Sequence, residues 1–279
     1  MISLNEGHNM DAVCQNLAGW AQEVFLLDSL SQDDTVDIAL RYGVRVFQLR
    51  FRGFGDQWNF ALANLPISAP WTMKLDPDER VSDELKRNLL AAMTHGESNG
   101  FRITRRLWFM GRPLPVRHSL VRLWRTGHCH FTDVAVNEHP VVEGKLADVA
   151  GDLEHRDSPD LDHWLDKQNR YTTAEALVFH NNNPLADVPR LLGSSLQRRM
   201  WMKKHFGKVP FRYSLLFLYN WLWLGAWRAG WVGYAWARLR SDVMRFREYK
   251  RREVKLTGRV PVGRVCSVGR PDERVSQFD

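Results

Sequence analysis

The sequence predicts an α/β protein: a mostly parallel sheet covered by helices, then a basic, tryptophan-rich helical region. Three observations predict it. Strand-like and helix-like segments alternate through the first 110 residues, the order that builds parallel sheets. Two acidic clusters directly follow predicted strands, where ligands of open α/β sheets bind. The charge is also segregated. Residues 1–150 hold 16 Lys and Arg against 18 Asp and Glu, whereas residues 198–258 hold 15 against three.

At 279 residues the chain can bury a substantial core without staples. With 44% hydrophobic and 25% charged residues it is neither disordered nor fibrous. Cys14, Cys129 and Cys266 are too few and too scattered for a disulfide framework or a structural zinc site. The first residues include Glu6 and lack an apolar core, so no secretory signal is expected.

The elements follow in order. Residues 1–4 read as a short strand and 10–20 as a helix, with Asn9 as its cap. The apolar run 23–27 is a strand ending at Asp28. Residues 35–42 are helical and 44–47 form a strand. Gly53 and Gly55 break the chain before a helix over 57–65. A strand over 71–75 runs into Asp76-Pro-Asp-Glu79. The helix over 82–95 is capped by Ser82 and carries Leu85, Leu89 and Leu90 on one side. After Gly100 the pattern loosens, with β-like runs at 101–103, 107–110 and 120–124. Residues 151–162 read as an acidic stretch that contains a loop-like Ser158-Pro-Asp160, helices dominate from Leu161, and the segment after Thr257 reads as a loose tail.

Three motifs carry chemistry. In Leu75-Asp-Pro-Asp-Glu-Arg80, two carboxylates one residue apart at a strand end can reach one divalent cation. Such a cation bridges two phosphates and stabilises a departing diphosphate. The plainer reading is a polar turn. Asp28, with the Ser and Asp residues after it, suits a base or ribose, and equally an ordinary capping loop. Gln57 and Asn59 follow two glycines and offer amides. His128-Cys-His130 has no third metal ligand in view. Phosphate-loop, dinucleotide, HExxH and GxSxG signatures are absent.

Residues 214–237 contain five tryptophans, three glycines and a single charge, Arg228, with basic flanks on both sides. A central Arg costs a spanning helix about 2.5–3.5 kcal/mol. The segment therefore reads as a shallow, in-plane element on an anionic membrane surface. A spanning helix at 214–237, a buried helical core and a subunit contact stay open. Nucleic acid is not the expected partner, because the aromatics cluster apart from the cations.

Four pieces then line up: Ser3-Leu-Asn-Glu6, Val24-Phe-Leu-Leu-Asp-Ser-Leu-Ser-Gln-Asp-Asp-Thr35, Gly53-Phe-Gly-Asp-Gln-Trp-Asn-Phe-Ala-Leu62 and Trp71-Thr-Met-Lys-Leu-Asp-Pro-Asp-Glu-Arg-Val81. In this order they resemble the family 2 glycosyltransferases of the GT-A fold, in particular the branch of lipopolysaccharide-core β-glucosyltransferases. Arg122-Leu-Trp-Arg125, Val136-Asn-Glu138 and Asp152-Leu-Glu-His155 continue the series. The resemblance implies a GT-A domain over 1–180, a membrane-associating helical region over 181–257 and a tail over 258–279. It implies an inverting hexosyltransferase with Mn2+ or Mg2+ as cofactor. The donor would be a nucleotide sugar, UDP-linked by preference, and the acceptor a lipid-linked or lipopolysaccharide-type glycan. Glu6, Asp28, Gln57, Asn59 and Asp76 would contact the nucleotide sugar. Asp78, with Asp76 and His155, would hold the metal, and Glu138 would be the catalytic base. The enzyme would be cytoplasmic and peripheral on the inner face of the cytoplasmic membrane. The alternative is an inactive GT-A-like binding or regulatory protein. Three positions depart from the pattern: Leu30 stands for a glycine, Trp58 for a basic residue and Asn137 for a histidine.

Overall fold

Strand β1 (Ile2–Ser3) is followed by helix α1 (Gly7–Leu17), β2 (Phe25–Asp28), α2 (Thr35–Arg41) and β3 (Arg45–Gln48). The three strands form a parallel sheet in the order β1-β2-β3. Its register sets Ser3 and Gln48 on either side of Asp28. A computed structural model describes residues 1–95, 97–132, 139–180, 190, 192–193, 197–198, 201 and 205–259 of the chain.

Then come α3 (Phe54–Asn64), β4 (Trp71–Met73), β5 (Glu79–Val81), α4 (Asp83–His95), β6 (Gly100–Phe109), β7 (Arg112–Arg125), β8 (Cys129–Phe131), β9 (Pro140–Val142) and β10 (Leu146–His155). Five of these strands form a mixed sheet in the order β4-β7-β6-β10-β5. Only β6 and β10 run parallel in it. The α/β class stands, with parallel pairing, among the described residues, limited to β1–β3 and to β6 with β10. The core joins α1, β2, α4, β6 and β10 through buried Met10, Leu26, Leu85, Leu89, Ile103 and Leu153.

Strand β10 runs into the acidic stretch 151–162, where the sequence reading placed no strand. Its acids do not break it because they find partners across the strands. Asp148 pairs with Arg102, and Asp152 with Arg106 and Arg117. Val149 and Leu153 point into the core. A register shift between Val149 and Asp152 is centred on Gly151, at φ 109°. A Cβ there would lie 2.7 Å from the Leu85 backbone, so this glycine lets α4 lie against β10. Gly151→Ala is expected to lower stability by about 2 kcal/mol or more, read as a lower urea midpoint.

The departures from the family pattern have local accounts. Leu30 holds φ 65°, the left-handed region that a glycine would take without strain. Trp58 is buried and stacks on Phe131 with centroids 5.6 Å apart. The Lys74 ammonium sits 4.6 Å from the Trp58 ring centroid, so a cation is present beside this position although residue 58 carries none. Asn137 lies outside the described residues.

The chain divides into one unit over Met1–Leu161 and a second that begins at Asp162. From Asp162 on, helix α5 (Leu161–His180) groups with the later helices, α6 (Arg212–Leu218) and α7 (Gly230–Thr257). Lys250 of α7 ties it there, donating to the backbone and side-chain oxygens of Asn169 and to the Thr172 and Thr173 hydroxyls.

Residues 214–237 do not form one helix. Helix α6 passes through a π-helical turn (Tyr219–Trp223) and a 3-10 turn (Ala226–Ala229) into α7. The two helices run side by side. Phe217 and Trp221 meet Tyr234, the Ser241 hydroxyl donates to the Tyr213 carbonyl, and Arg212 pairs with Glu248. A Cβ on Gly233 would fall 1.7 Å from the Ala226 carbonyl oxygen, so that glycine seats the turn against α7. Among the described residues no helix is long and apolar enough to cross a membrane.

Candidate active site

The turn after β4 and the end of β10 are brought together by strand pairing. Strand β5 runs antiparallel to β10, with Glu79 opposite His155 and Val81 opposite Leu153. The Arg156 N–H then donates to the Asp78 carbonyl at 2.8 Å. This register delivers the His155 imidazole to the Asp78 carboxylate, with Nε2 3.2 Å from Oδ2. Asp157, just beyond the strand, lies 3.8 Å from the same nitrogen. Asp78, His155 and Asp157 each offer one ligand atom within 4.8 Å of the others. Two hard carboxylate oxygens and one imidazole nitrogen suit Mn2+ or Mg2+, and three protein donors leave positions for phosphate oxygens. No such cluster forms around His128 and His130 among the described residues.

Electrostatics at the triad oppose burial. Burial disfavours the charged imidazole of His155, but Asp78 beside it prevails and raises its pKa. Asp157 was not singled out in the sequence. A signal for it existed, because His155 and Asp157 repeat at a strand end the one-residue spacing of Asp76 and Asp78.

Asp76 has a different environment from Asp78. Arg122 of β7, itself buried, donates one Nη2 to Asp76 Oδ2 at 2.9 Å and to Glu79 Oε1 at 2.5 Å. Glu79 is fully buried and its other oxygen accepts the Asp76 N–H at 3.1 Å. Burial alone would raise the Asp76 carboxyl, but Arg122 and then Lys74 outweigh it and hold its pKa at about 2. Asp76 is therefore fixed as a carboxylate and oriented from behind. Arg80 clamps the turn from inside, donating to the Pro77 and Glu79 carbonyls at 2.6 and 2.7 Å.

Glu6 connects to this turn through a chain of hydrogen bonds. Its carboxylate accepts from the Asn9 amide at 2.9 Å, and the Asn9 carbonyl accepts from Arg80 at 3.1 Å. Asp28 and Gln57 form a second group. Asp28 is fully buried at the end of β2 and accepts from Ser3, Ser31 and Gln48. Gln57 donates to the Ser29 hydroxyl and the Leu49 carbonyl, while its buried carbonyl oxygen has no partner. Asn59 makes two hydrogen bonds to the Phe131 backbone and so ties α3 to β8. These side chains thus already join neighbouring strand ends. Asp78 meets His155 directly and Glu6 reaches the turn through Asn9 and Arg80, while Gln57 bonds to Ser29, next to Asp28 in the chain. Glu138 lies outside the described residues. The residues bracketing it are joined: the Thr132 N–H donates to the His139 carbonyl, and the His139 N–H to the Thr132 hydroxyl.

Residues 1–141 match the family described as Glycosyl transferase family 2. The chain is 29% identical over 248 residues to the lipopolysaccharide core biosynthesis glycosyltransferase LpsC of Rhizobium meliloti (strain 1021), covering 84% of this chain and 83% of that protein. It is 23% identical over 192 residues to an uncharacterized glycosyltransferase of Rickettsia prowazekii (strain Madrid E), covering 63% of this chain and 65% of that one. A solved structure of glucosyl-3-phosphoglycerate synthase from Mycobacterium tuberculosis, with Mn2+, uridine-diphosphate and glucosyl-3-phosphoglycerate, matches at a TM-score of 0.30 and 22% identity, over 39% of this chain and 42% of that one. That overlap is too small to inform the site.

Proposed function

The chain belongs to glycosyl transferase family 2, and from that premise we propose an inverting, metal-assisted transfer of a sugar from a nucleoside-diphosphate sugar to a lipid-linked cell-envelope glycan. The protein is a glycosyltransferase of the GT-A class. The finer reading is a UDP-sugar donor and a lipopolysaccharide-type acceptor. The acceptor reading is supported by the similarity to LpsC across most of both chains.

The observation that carries the reading is the Asp78–His155–Asp157 triad beside an Asp76 held ionised by Arg122. Asp78, His155 and Asp157 would hold a divalent cation, which would supply positive charge to the departing diphosphate. The chain's own groups do the rest. Asp78 and Asp157 bring two negative charges and His155 a neutral nitrogen once deprotonated. Asp76, oriented by Arg122, takes a hydrogen bond from the sugar or ribose. Glu138 accepts the proton of the acceptor hydroxyl as its oxygen bonds to the anomeric carbon. The bond from that carbon to the diphosphate breaks, and its electron pair leaves with the nucleoside diphosphate. One displacement converts an α-linked donor into a β-linked product.

The transferase chemistry is assigned to residues 1–180 and membrane association to 181–257, with 258–279 as a tail. The basic, tryptophan-rich region would hold the enzyme peripherally on the inner face of the cytoplasmic membrane, against anionic headgroups.

The test is nucleoside diphosphate release from a panel of nucleotide sugars, with Mn2+ or Mg2+ and a membrane glycolipid acceptor. One donor is expected to support metal-dependent release. Glu138→Gln is expected to lower it about a hundredfold while donor binding stays unchanged. Donor binding without release from any nucleotide sugar would leave the inactive binding protein as the reading.

A further inference from the structure

The hairpin of α6 and α7 places large apolar side chains outward. Trp223 is 81% exposed, Trp231 70%, Leu222 53% and Trp227 50%. All four lie in or beside the turn that links the two helices. The same hairpin buries Asn220, Ala226, Trp236 and Ala237. The hairpin therefore has an inner face, and these indoles are not on it. A patch of this kind, so unlike an ordinary water-facing surface, marks an interaction site.

Charge and chemistry select the partner. Residues 212–257, which form the hairpin, contain ten Lys and Arg against three Asp and Glu. A second copy of the hairpin would set cations against cations. An anionic lipid surface complements them. The exposed groups are mainly indoles, which favour the headgroup–acyl boundary over the bilayer centre. Arg228 lies within the tip, 5.3 Å from the Trp227 ring centroid. Its guanidinium suits headgroup depth and resists deeper entry. Helix α6 has only seven residues, about 10 Å of rise, far short of a bilayer.

We infer that the hairpin tip, through Leu222, Trp223, Trp227 and Trp231, is a membrane-binding wedge that seats in the interface of an anionic bilayer without crossing it. This deepens the reading of the enzyme as a membrane-peripheral protein and rests on it only for purpose, since vesicle binding is measured without any sugar donor. The tip is what enters the interface, and the rest of α7 stays in water.

The experiment uses the full chain and two kinds of vesicle: phosphatidylcholine alone, and phosphatidylcholine with about a third phosphatidylglycerol. Wild type is expected to float with the anionic vesicles and about tenfold more weakly with the neutral ones. Brominated acyl chains are expected to quench part of its tryptophan emission. The combined variant Trp223→Ser, Trp227→Ser, Trp231→Ser changes only exposed positions, and circular dichroism checks its fold. It is expected to lose vesicle affinity at least tenfold and to lose the quenching. Its nucleoside diphosphate release with a detergent-dispersed acceptor is expected to match wild type. Flotation of the variant equal to wild type, or unquenched wild type, overturns the wedge. So does a wild-type dimer that ignores vesicles and dissociates in the variant. Wild type that floats but uses no donor sustains the wedge and removes the transferase reading instead.

Discussion

Asp78→Ala is expected to cut metal-dependent sugar transfer about a thousandfold, the loss of several kcal/mol of charge stabilisation at the leaving diphosphate. Asp78 is the member of the triad that is both buried and in contact with His155. Removing it would take away one candidate ligand and the carboxylate beside the imidazole. Asp157, farther from His155, would be the peripheral ligand. Asp157→Ala is therefore expected to weaken Mn2+ about tenfold, with activity recovered at high Mn2+. The same site sets a pH dependence. Asp78 raises the His155 pKa, and a protonated imidazole cannot ligate. Mn2+ affinity is thus expected to tighten as pH rises through that raised pKa and to level off above it. The sign for stability is opposite. Without metal, the His155–Asp78 pair stabilises the fold at low pH, and that contribution is lost as pH rises through the folded pKa. Asp78→Asn should move the affinity inflection to lower pH. Mn2+ titration followed by electron paramagnetic resonance reads both effects, and an Asp78→Ala enzyme with wild-type turnover would sink the metal assignment.

Arg122→Met is expected to cost about 3–5 kcal/mol of stability, because it leaves the buried Glu79 and the half-buried Asp76 without their main cation. Among the described residues, Arg122 alone bridges Asp76 and Glu79, and Glu79 would keep only Arg105, at 3.6 Å. Methionine fills similar space, so the loss is electrostatic and not a cavity. Arg122→Met with Glu79→Gln should recover part of the loss, since one uncompensated charge is gone. The pair also predicts the acid limb. Asp76 is held at about 2 against an ordinary 3.8. Its contribution is full above the ordinary value and fades as pH falls from about 4 towards 2. In Arg122→Met that part of the acid transition should flatten. Equilibrium urea unfolding across pH measures both effects, and unchanged stability would mean that the bridge does not matter.

The readable parts of this fold are those where local pattern suffices. Strand β2 ends at Asp28 and β4 runs into Asp76 because apolar runs of strand length stop at acids. Helix α4 follows from Ser82 and from leucines at helical spacing. The basic, acid-poor character of the second unit is a property of composition alone. The hidden parts depend on partners far along the chain. Strand β10 shows no strand pattern in the sequence because Asp148 and Asp152 look unfavourable until Arg102, Arg106 and Arg117 meet them across the sheet. Arg122 resembles any arginine of a charged strand until β7 carries it under Asp76 and Glu79. Residues 214–237 show an apolar segment of spanning length. Whether they form one helix or a hairpin depends on Gly233 accepting the Ala226 carbonyl and on Arg212 reaching Glu248.

The sequence by itself determined the α/β order, the two strand ends that carry Asp28 and Asp76-Pro-Asp78, and the segregation of positive charge into the second unit. These follow from periodicity and composition, which act over a few residues. The tertiary structure alone decided that Asp157 joins Asp78 and His155, that Arg122 fixes Asp76, and that Trp223, Trp227 and Trp231 face outward from a hairpin tip. Those depend on strand register and on pairs separated by tens of residues, which one-dimensional spacing does not encode.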